Sequence, residues 1–442
     1  MPSAVISPQA TPEIPAADRQ WPPIIWAALI GTFAIRAFGF AYPFLPYHAD
    51  NLGFSTQMTG WIVAGFGAGW LIGQIGGGWL SDRIGPRATL AYAMATATVT
   101  LPVLAEVRSS VGLIVAAFLT GVVYDAARPV ITTLIDETFP AKAQQALVSG
   151  WRHFSVNIGA ALTGSLGGYL AATAGLPTLF WVNALACAAF GLAAVLLLPP
   201  YTRRTGPEEG RPGYAHALRD TRLWLLSLAS LCALICAGSV FTAMPILMSS
   251  DNLDATAYGW AQVANAAAVL ILSPFLTPWL SRRAAHDKPM TGLLAVSSLL
   301  LGVGMGLAGL ANSTIGYCLA AAAAVPGEII LFIAAGDLVS RLAPPGAHGR
   351  YAGLWGSNLA LAVIAAPLLA AWSLSHGGGI TATWIICGAG VLGAVLCWPL
   401  HSSIFTTTAS PTPRPRAQKD QPDGMAGVGQ NVARSSSAPL RQ

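Results

Sequence analysis

Ionisable side chains stand at wide intervals inside long apolar stretches of this 442-residue sequence. A charged group is costly in hydrocarbon, so such residues usually pair with one another or carry protons and ions. Asp125 and Arg128 are three residues apart and therefore share one face of a helix. Glu328 has no obvious basic neighbour in the sequence around it. The pattern predicts either permanent buried ion pairs or a carboxyl group that exchanges a proton.

The elements that hold these charges must cross a membrane. Of all residues, 54% are hydrophobic and only 9% are charged, whereas a soluble domain carries about 25% charged residues. A span needs about 20 mainly apolar residues, and the sequence contains twelve such runs. Their expected limits are 24–47, 58–80, 88–107, 110–135, 145–173, 177–199, 222–248, 257–280, 289–311, 313–341, 349–375 and 378–400. At about 1.5 Å of helix per residue, the charges named above fall in one central layer, together with Arg36 and Arg152.

The longest internal polar stretch, residues 201–221, divides the twelve runs into six and six. We therefore expect one six-helix bundle over 24–200 and a second over 222–402, joined by this stretch as a cytoplasmic loop. The segments 1–23 and 403–442 contain prolines and lack apolar periodicity. They are expected to be disordered cytoplasmic tails.

The distribution of basic residues predicts the orientation. The chain has 23 Lys and Arg residues, of which three lie within spans and Arg108 alone falls on the side opposite the termini. Because Lys and Arg collect in cytoplasmic loops, both termini are predicted to lie in the cytoplasm, with the chain in the cell inner (plasma) membrane. The same bias accounts for the net charge of +5, so no nucleic-acid partner is expected.

The two predicted halves repeat the same landmarks. Residues 43–61 and 245–260 each run from a proline through Asp-Asn-Leu to Gly-Trp, and WLSDR at 79–83 returns as WLSRR at 279–283. Three landmarks in one order indicate an internal duplication. Transporters built from such repeats bind their substrate between the halves, near the midplane.

Residues 78–90, GWLSDRIGPRATL, resemble the loop between spans two and three of the major facilitator superfamily, written G-x-L-A-D-R-x-G-R-R/K-x-x-L. The resemblance implies an all-α membrane protein of 12 transmembrane helices in two pseudo-symmetric six-helix bundles. It also implies a latch that joins this loop to span eleven on the cytoplasmic side, with an acidic partner at the end of span four. The latch residues in this sequence are Gly78, Asp82, Arg83, Gly85, Arg87 and Asp136, and Pro86 stands where the family has an arginine.

Two spans are most similar to those of bacterial drug and small-molecule exporters, which exchange drugs for protons. In span one, Arg36 precedes a run of proline and aromatic residues. Span five matches the antiporter glycine pattern at Gly150, Gly159, Gly167 and Gly168, but 163–164 is Thr-Gly where exchangers have Gly-Pro.

Spans one, four, seven and ten line the cavity in this family, so the resemblance places Arg36, Asp125 and Arg128 opposite Glu328. Glu328 is the favoured proton carrier and Asp125 the second candidate, because neighbouring arginines suit Asp125 to a structural ion pair. Arg36, Arg128 and Arg152 could neutralise these acids or bind an anionic solute. An amphipathic cavity lining is expected from Phe40, Tyr42, Asn157, Phe241, Met244, Trp355 and Asn358.

The sequence thus predicts a proton-coupled secondary transporter that exports a small hydrophobic or amphipathic compound, such as a drug, toxic metabolite or natural product. The alternative is import of a sugar, organic acid or similar nutrient by symport or uniport. No Walker A, HExxH or GxSxG motif is present, so neither an enzyme nor a cofactor is expected. Cys232 and Cys236 have no His or carboxylate companions, which argues against a metal site. The expected partners of a monomeric chain are its substrate, protons and lipid.

Overall fold

The computed structural model describes residues 21–124, 127–139, 142–198, 214–284, 289–344 and 348–408. Within these ranges the chain forms helices and connecting turns, without β-strands. The first half contains α1 (Pro23–Ala37), α2 (Ala41–Asn51), α3 (Thr56–Ile84), α4 (Pro86–Glu106), α5 (Ser110–Tyr124), α6 (Ala127–Thr138), α7 (Lys142–Ala174) and α8 (Leu176–Leu197). The second half contains α9 (Tyr214–Arg219), α10 (Thr221–Gly238), α11 (Ala243–Ser250), α12 (Ala255–Ala284), α13 (Thr291–Gly306), α14 (Thr314–Leu342), α15 (His348–Ser375) and α16 (Gly378–Thr408), with a 3-10 turn at Leu307–Leu310. Most of the predicted tails and of the central loop lies outside the described residues.

Among the described residues, ten helical segments are long and apolar enough to cross a membrane. Two of these segments are helix pairs, α1 with α2 and α10 with α11, while α5 alone is a shorter apolar helix. The prediction of an all-helical, multi-pass membrane protein is therefore confirmed. The number of twelve crossings stays a prediction, because neither α7 nor the α5–α6 region is among the ten segments.

Two spans are broken at matching places. The backbone leaves the helix at residues 38–40, between α1 and α2, and at residues 239–242, between α10 and α11. A proline follows each break, Pro43 in the first half and Pro245 in the second. Since proline has no backbone N–H, it cannot donate to the carbonyl four residues earlier, and the helix yields there. The shared breaks agree with an internal duplication.

Polar side chains and one glycine set several helix boundaries. Ser55 accepts a hydrogen bond from the Met58 amide at 3.3 Å at the start of α3, and Ser313 caps α14 in the same way. Gly85 stands between α3 and α4 with a φ of 86°, a conformation that favours glycine. A single residue can therefore reverse the chain between two long helices.

The buried apolar residues form two clusters. One cluster is composed mainly of residues before 199 and the other mainly of residues after 214. Phe241 and Leu359 pack against both. Close helix packing inside the first cluster depends on small residues, since a methyl group at Gly191 of α8 would lie 2.8 Å from Met94 Cβ of α4.

Side-chain hydrogen bonds show which helix ends lie together. At one end Ser249 Oγ donates to Asp50 Oδ2 at 2.7 Å, and Tyr317 Oη donates to Asp251 Oδ2 at 2.7 Å. At the other end Tyr351 Oη donates to Asp220 Oδ2 at 3.0 Å. We name these the Asp50 end and the Asp220 end. The predicted topology assigns the Asp220 end to the cytoplasm.

Candidate functional site

Five aromatic rings form a cluster where the two halves of the chain meet. Tyr42 of α2 lies at ring-centroid distances of 5.5 Å from Phe66, 5.9 Å from Trp70, 5.6 Å from Tyr124 and 6.0 Å from Phe241. Phe66 and Trp70 belong to α3, and Tyr124 ends α5. Because Phe241 comes from the second half, this aromatic cluster connects the halves in the protein interior.

Arg36 lies beside the aromatic cluster. Its Nη1 donates to Tyr124 Oη at 3.0 Å, and its Cζ is 5.4 Å from the centre of that ring. The Arg36 carbonyl accepts a hydrogen bond from Thr163 Oγ1 of α7. A methyl group at Gly159 of α7 would lie 2.7 Å from Arg36 Cβ, so α7 approaches α1 closely there. These contacts fix the guanidinium against the aromatic rings, where a cation is favourable.

Glu328 lies half-buried in α14, facing α12. The side chain of Asn265 on α12 lies close to the Glu328 carboxyl group. Asn265 Nδ2 donates to the Ala321 carbonyl of α14 at 3.4 Å, so this amide connects the two helices. Within the part of the chain that the structure describes, Glu328 makes no ion pair. A carboxyl group without an ion pair is suited to change its protonation state.

Several buried hydrogen-bond donors have no partner among the described residues. Three of them are nitrogen atoms of tryptophan and asparagine side chains, namely Trp70 Nε1, Trp355 Nε1 and Asn358 Nδ2. A buried donor left without a partner costs about 1–3 kcal/mol. Trp355 and Asn358 were predicted to line the cavity, and Trp70 joins them through its place in the aromatic cluster. These atoms are suited to hydrogen-bond acceptor groups on a bound molecule.

The other predicted cavity residues divide by burial. Phe40 and Met244 are fully buried in the second-half core cluster, and the Phe40 ring packs 6.3 Å from that of Phe44. They face neighbouring side chains in this arrangement, not open space. Tyr42 is 6% exposed within the aromatic cluster.

Several predicted site residues are placed away from the aromatic cluster or are not described. Arg128 is exposed at the start of α6, and Arg152 is half-buried in α7. Asp125 lies outside the described residues, as do the side chains of Asn157, Asp82 and Asp136. The burial of Gly78 is likewise outside the description. The midplane ion pairs and the latch therefore remain predictions.

The two copies of the repeated motif keep one contact in common. Arg83 Cζ lies 4.2 Å from the Trp79 ring centre, and Arg283 Cζ lies 5.8 Å from the Trp279 ring centre. A cation above an indole ring is favourable at this range. Arg87 is half-buried near the start of α4. WLSRR thus retains the Trp–Arg pair of WLSDR even though its acid has become Arg282.

The halves are close together in the part of the bundle near the Asp50 end. A methyl group at Gly60 of α3 would lie 2.9 Å from Ala371 Cβ of α15, and one at Gly67 would lie 2.9 Å from Ile364 Cγ1. A methyl group at Gly259 of α12 would lie 2.6 Å from the Gly164 carbonyl oxygen of α7. Only small residues allow these backbones to approach so closely.

The described contacts of α15 differ toward the Asp220 end. For Gly353 and Gly356 of α15, an added methyl group would meet no atom of the described residues within 4 Å, and both lie farther from the Asp50 end than the close contacts of the same helix. Gly76 of α3 also meets no described atom, but it lies nine residues after Gly67 and so on the opposite face of its helix. The glycine contacts between the halves are therefore tight near the Asp50 end and absent at these two positions of α15.

A shallow depression of about 360 Å³ lies above the closed contacts at the Asp50 end. Residues from both halves form it, among them Tyr47, Asp50, Leu176, Ser249 and Asp254. It marks the line along which the halves would separate if the Asp50 end opened.

Three polar residues of α12 carry contacts that the sequence reasoning missed. Tyr258, Gln262 and Asn265 are 0%, 4% and 7% exposed, respectively. Their spacing of four and three residues puts them on one face of the helix. Two amides at this spacing in an otherwise apolar run are the signal that would have identified them, since buried amides need hydrogen-bond partners.

The comparisons with known proteins agree on one fold. The family model described as the Major Facilitator Superfamily matches residues 27–366 and 226–439. A 175-residue stretch is 31% identical to the multidrug resistance protein MdtH of Aeromonas hydrophila subsp. hydrophila, and MdtH of Aeromonas salmonicida matches equally well. This stretch covers 40% of the present chain and 43% of each relative, so less than half of either relative is matched.

Solved structures match over a much greater length. A POT family transporter in complex with a thioalcohol-conjugated peptide superimposes with a TM-score of 0.74 at 14% identity, covering 89% of this chain and 98% of the other. The peptide transporter POT in complex with sulfate gives a TM-score of 0.72 at 16% identity, covering 87% and 95%. At these identities the likeness establishes the fold alone.

Proposed function

Because the chain belongs to the Major Facilitator Superfamily of membrane transporters, we propose that it exports a small hydrophobic or amphipathic organic compound in exchange for protons. The observation that carries this proposal is Glu328, a carboxyl group inside a membrane-spanning helix that makes no ion pair among the described residues. An ionisable group in such a place is a candidate for proton transfer.

Alternating access is supported by the difference between the two ends. The halves touch through glycines near the Asp50 end, whereas Gly353 and Gly356 of α15 meet no described atom toward the Asp220 end, as expected of an interior that opens there. With twelve spans in two six-helix bundles and both termini in the cytoplasm of an inner-membrane protein, this arrangement takes up substrate from the cytoplasm. Rocking the halves about the interior then releases it at the Asp50 end.

The interior supports the proposed substrate class. The aromatic cluster is apolar and is buried in this arrangement, so its rings suit apolar groups once the interior admits a substrate, and the donors of Trp70, Trp355 and Asn358 suit a few acceptor oxygens or nitrogens. Binding pockets of this composition take compounds that are mostly apolar with few polar groups. The name multidrug resistance protein of the relatives supports the same class over the matched stretch.

A resistance screen tests the proposal. The chain is expressed in bacteria that lack their major exporters, and growth is measured against many toxic compounds. Wild type should raise the tolerated concentration of some compounds, and Glu328→Gln should lower it again about tenfold, because each cycle needs the proton carrier. The control Asp337→Asn changes an acid of the same helix that pairs with Arg341 at 2.9 Å near the Asp220 end, and it should retain resistance.

The direction of transport has a separate readout. Collapse of the proton gradient should make a labelled substrate accumulate in cells if the chain exports it. A fall in accumulation would instead favour import, the alternative function. Unchanged resistance in Glu328→Gln would remove Glu328 from the mechanism.

A further inference from the structure

We propose that the depression at the Asp50 end is a binding site for an organic ammonium group, which it holds between Asp50 of the first half and Asp254 of the second. The ligand class is a primary or secondary amine in its protonated form that carries a small apolar group. This inference goes beyond the proposed function, because it depends neither on Glu328 nor on the direction of transport.

The depression lies on the line between the two halves and is held in shape by both. Residues of α2, α7 and α8 line one side, and residues 252–256 line the other. Two hydrogen bonds cross between the halves here, since Ser249 Oγ donates to Asp50 Oδ2 at 2.7 Å and Thr256 Oγ1 donates to the Gly168 carbonyl at 3.4 Å. A volume of about 360 Å³ lies in the range of small-molecule pockets.

The charge of the depression is negative on both sides. Asp50 and Asp254 are exposed and line it, and no Lys, Arg or His residue is found in the described lining. Neither acid makes an ion pair within the part of the chain that the structure describes. Asp50 Oδ2 accepts the Ser249 bond, and Asp254 Oδ1 accepts a bond from the Ala257 amide at 2.9 Å. The other oxygen atom of each carboxylate is therefore available to a cation.

Tyr47 adds a polar atom that needs a donor. It lines the depression and lies three residues before Asp50, on the same face of α2. The residue is only 5% exposed, and its Oη is a buried atom without a hydrogen-bond partner among the described residues. Leaving a buried hydroxyl group unpaired is costly, so an N–H donor placed in the depression would gain a waiting acceptor.

The composition of the lining favours an organic cation over a metal ion. The described residues contain no group of three or more His, Cys, Asp or Glu side chains that could hold a metal. Apolar side chains, among them Leu176 and Leu253, line the depression beside the polar ones. An ammonium group can thus donate to the carboxylates and to Tyr47 Oη while its apolar part covers the leucines. Because hydrogen bonds from an ionised donor are roughly twice as strong as neutral ones, charge should decide the affinity.

The site combines one acid from each half. It is complete only while the halves touch at the Asp50 end, because opening would move Asp50 and Asp254 apart. A ligand that binds one of two arrangements better shifts the protein toward it. A bound ammonium group therefore adds an attraction between the halves.

The test measures the binding of benzylamine, which is protonated at neutral pH, to the purified full chain by equilibrium dialysis, with detergent alone as the blank. Benzyl alcohol is the matched neutral probe, since it carries a hydroxyl group in place of the ammonium group. Wild type should bind benzylamine at least about tenfold more tightly than benzyl alcohol. Equal affinity for the two probes, or no binding of benzylamine, would overturn the site.

Two variants place the probe in the depression. Asp50→Asn and Asp254→Asn should each weaken benzylamine binding about fivefold, as expected for the loss of one exposed charge. Both should fold, because asparagine can accept the same hydrogen bonds. Glu106→Gln is the control, since Glu106 is an exposed acid at the same end that pairs with Arg108 at 3.9 Å outside the depression. Unchanged binding in both aspartate variants would overturn the proposal.

A second pair of probes tests the contact with Tyr47. Tyr47→Phe should weaken the binding of benzylamine about threefold and leave that of benzyltrimethylammonium unchanged, because the quaternary cation has no N–H group for Oη. An equal effect on both cations would overturn the assigned contact, and with it the preference for a protonated amine. The resistance screen of Glu328→Gln does not involve the depression, so either proposal can fail while the other stands.

Discussion

The two ends of the bundle are built from the same helices but are held together in different ways. Near the Asp50 end, α7 meets α12 and α3 meets α15 through glycines with no room for a methyl group. Toward the Asp220 end, a methyl group at Gly353 or Gly356 of α15 would meet no described atom within 4 Å. The difference shows that small residues are needed where the backbones touch, whereas at these two positions a glycine has no such packing role in this arrangement.

The repeated Asp-Asn-Leu motif makes the same distinction between its two copies. Asp251 accepts a hydrogen bond from Tyr317, which belongs to its own half. Asp50 accepts a hydrogen bond from Ser249, which belongs to the opposite half. One copy therefore holds its own half together, while the other closes the Asp50 end.

The largest effect is expected from adding one methyl group at each end. Gly164→Ala places a methyl group against Gln262 Cβ and should lower stability by about 1–3 kcal/mol through overpacking. Gly356→Ala meets open space and should leave stability equal or raise it by up to about 1 kcal/mol, since alanine favours helix. Thermal unfolding of the two purified variants in detergent gives the comparison. Equal midpoints would show that the two ends do not differ in packing.

The sequence predicted the helical membrane fold well because apolar runs of span length have few other uses. It also predicted a proton carrier at Glu328 and a hydrogen-bonding cavity group at Asn358, since charges and polar groups inside spans are rare, and these roles stay predictions. It could not show that Phe40 is packed in the core, because burial depends on which helices are close in a given arrangement. Asn265 was missed because its role appears only when α12 lies beside α14.

The next effect concerns the bond between Asp50 and Ser249. Ser249→Ala removes it and should raise the open fraction at the Asp50 end about fivefold, equivalent to about 1 kcal/mol for an exposed bond to a carboxylate. The distance between nitroxide labels attached at Thr173→Cys in the first half and Asn312→Cys in the second, two exposed positions, measures this opening. Tyr317→Phe is the control, because its bond to Asp251 lies within one half and its loss should not change the distance. The same opening in both variants would contradict the separate roles of the two motif copies.

An effect no larger than that of Ser249→Ala is expected at the Asp220 end, where the described bonds of Asp220 stay within one half. Burial alone would raise the pKa of Asp220, but hydrogen bonds from Arg222 and Tyr351 outweigh it and hold the pKa below its ordinary 3.8. A lowered pKa in the folded state stabilises the protein at pH values above the ordinary value, and this stability is lost as pH falls through the lowered pKa. Asp220→Asn should therefore cost about 1 kcal/mol near pH 7 and progressively less below about pH 4.

Thermal unfolding across this pH range measures the Asp220 effect, with Asp337→Asn as the control. Asp337 pairs with Arg341 four residues later in α14, and ion pairs at this spacing on one helix contribute about 0.3–0.5 kcal/mol. Because Asp220 joins α10 to α15 inside the second half, Asp220→Asn should change stability and leave the distance at the Asp50 end unaltered. A change in that distance would mean that bonds within one half also control the opening, and the contrast between the two ends would then rest on the glycine contacts alone.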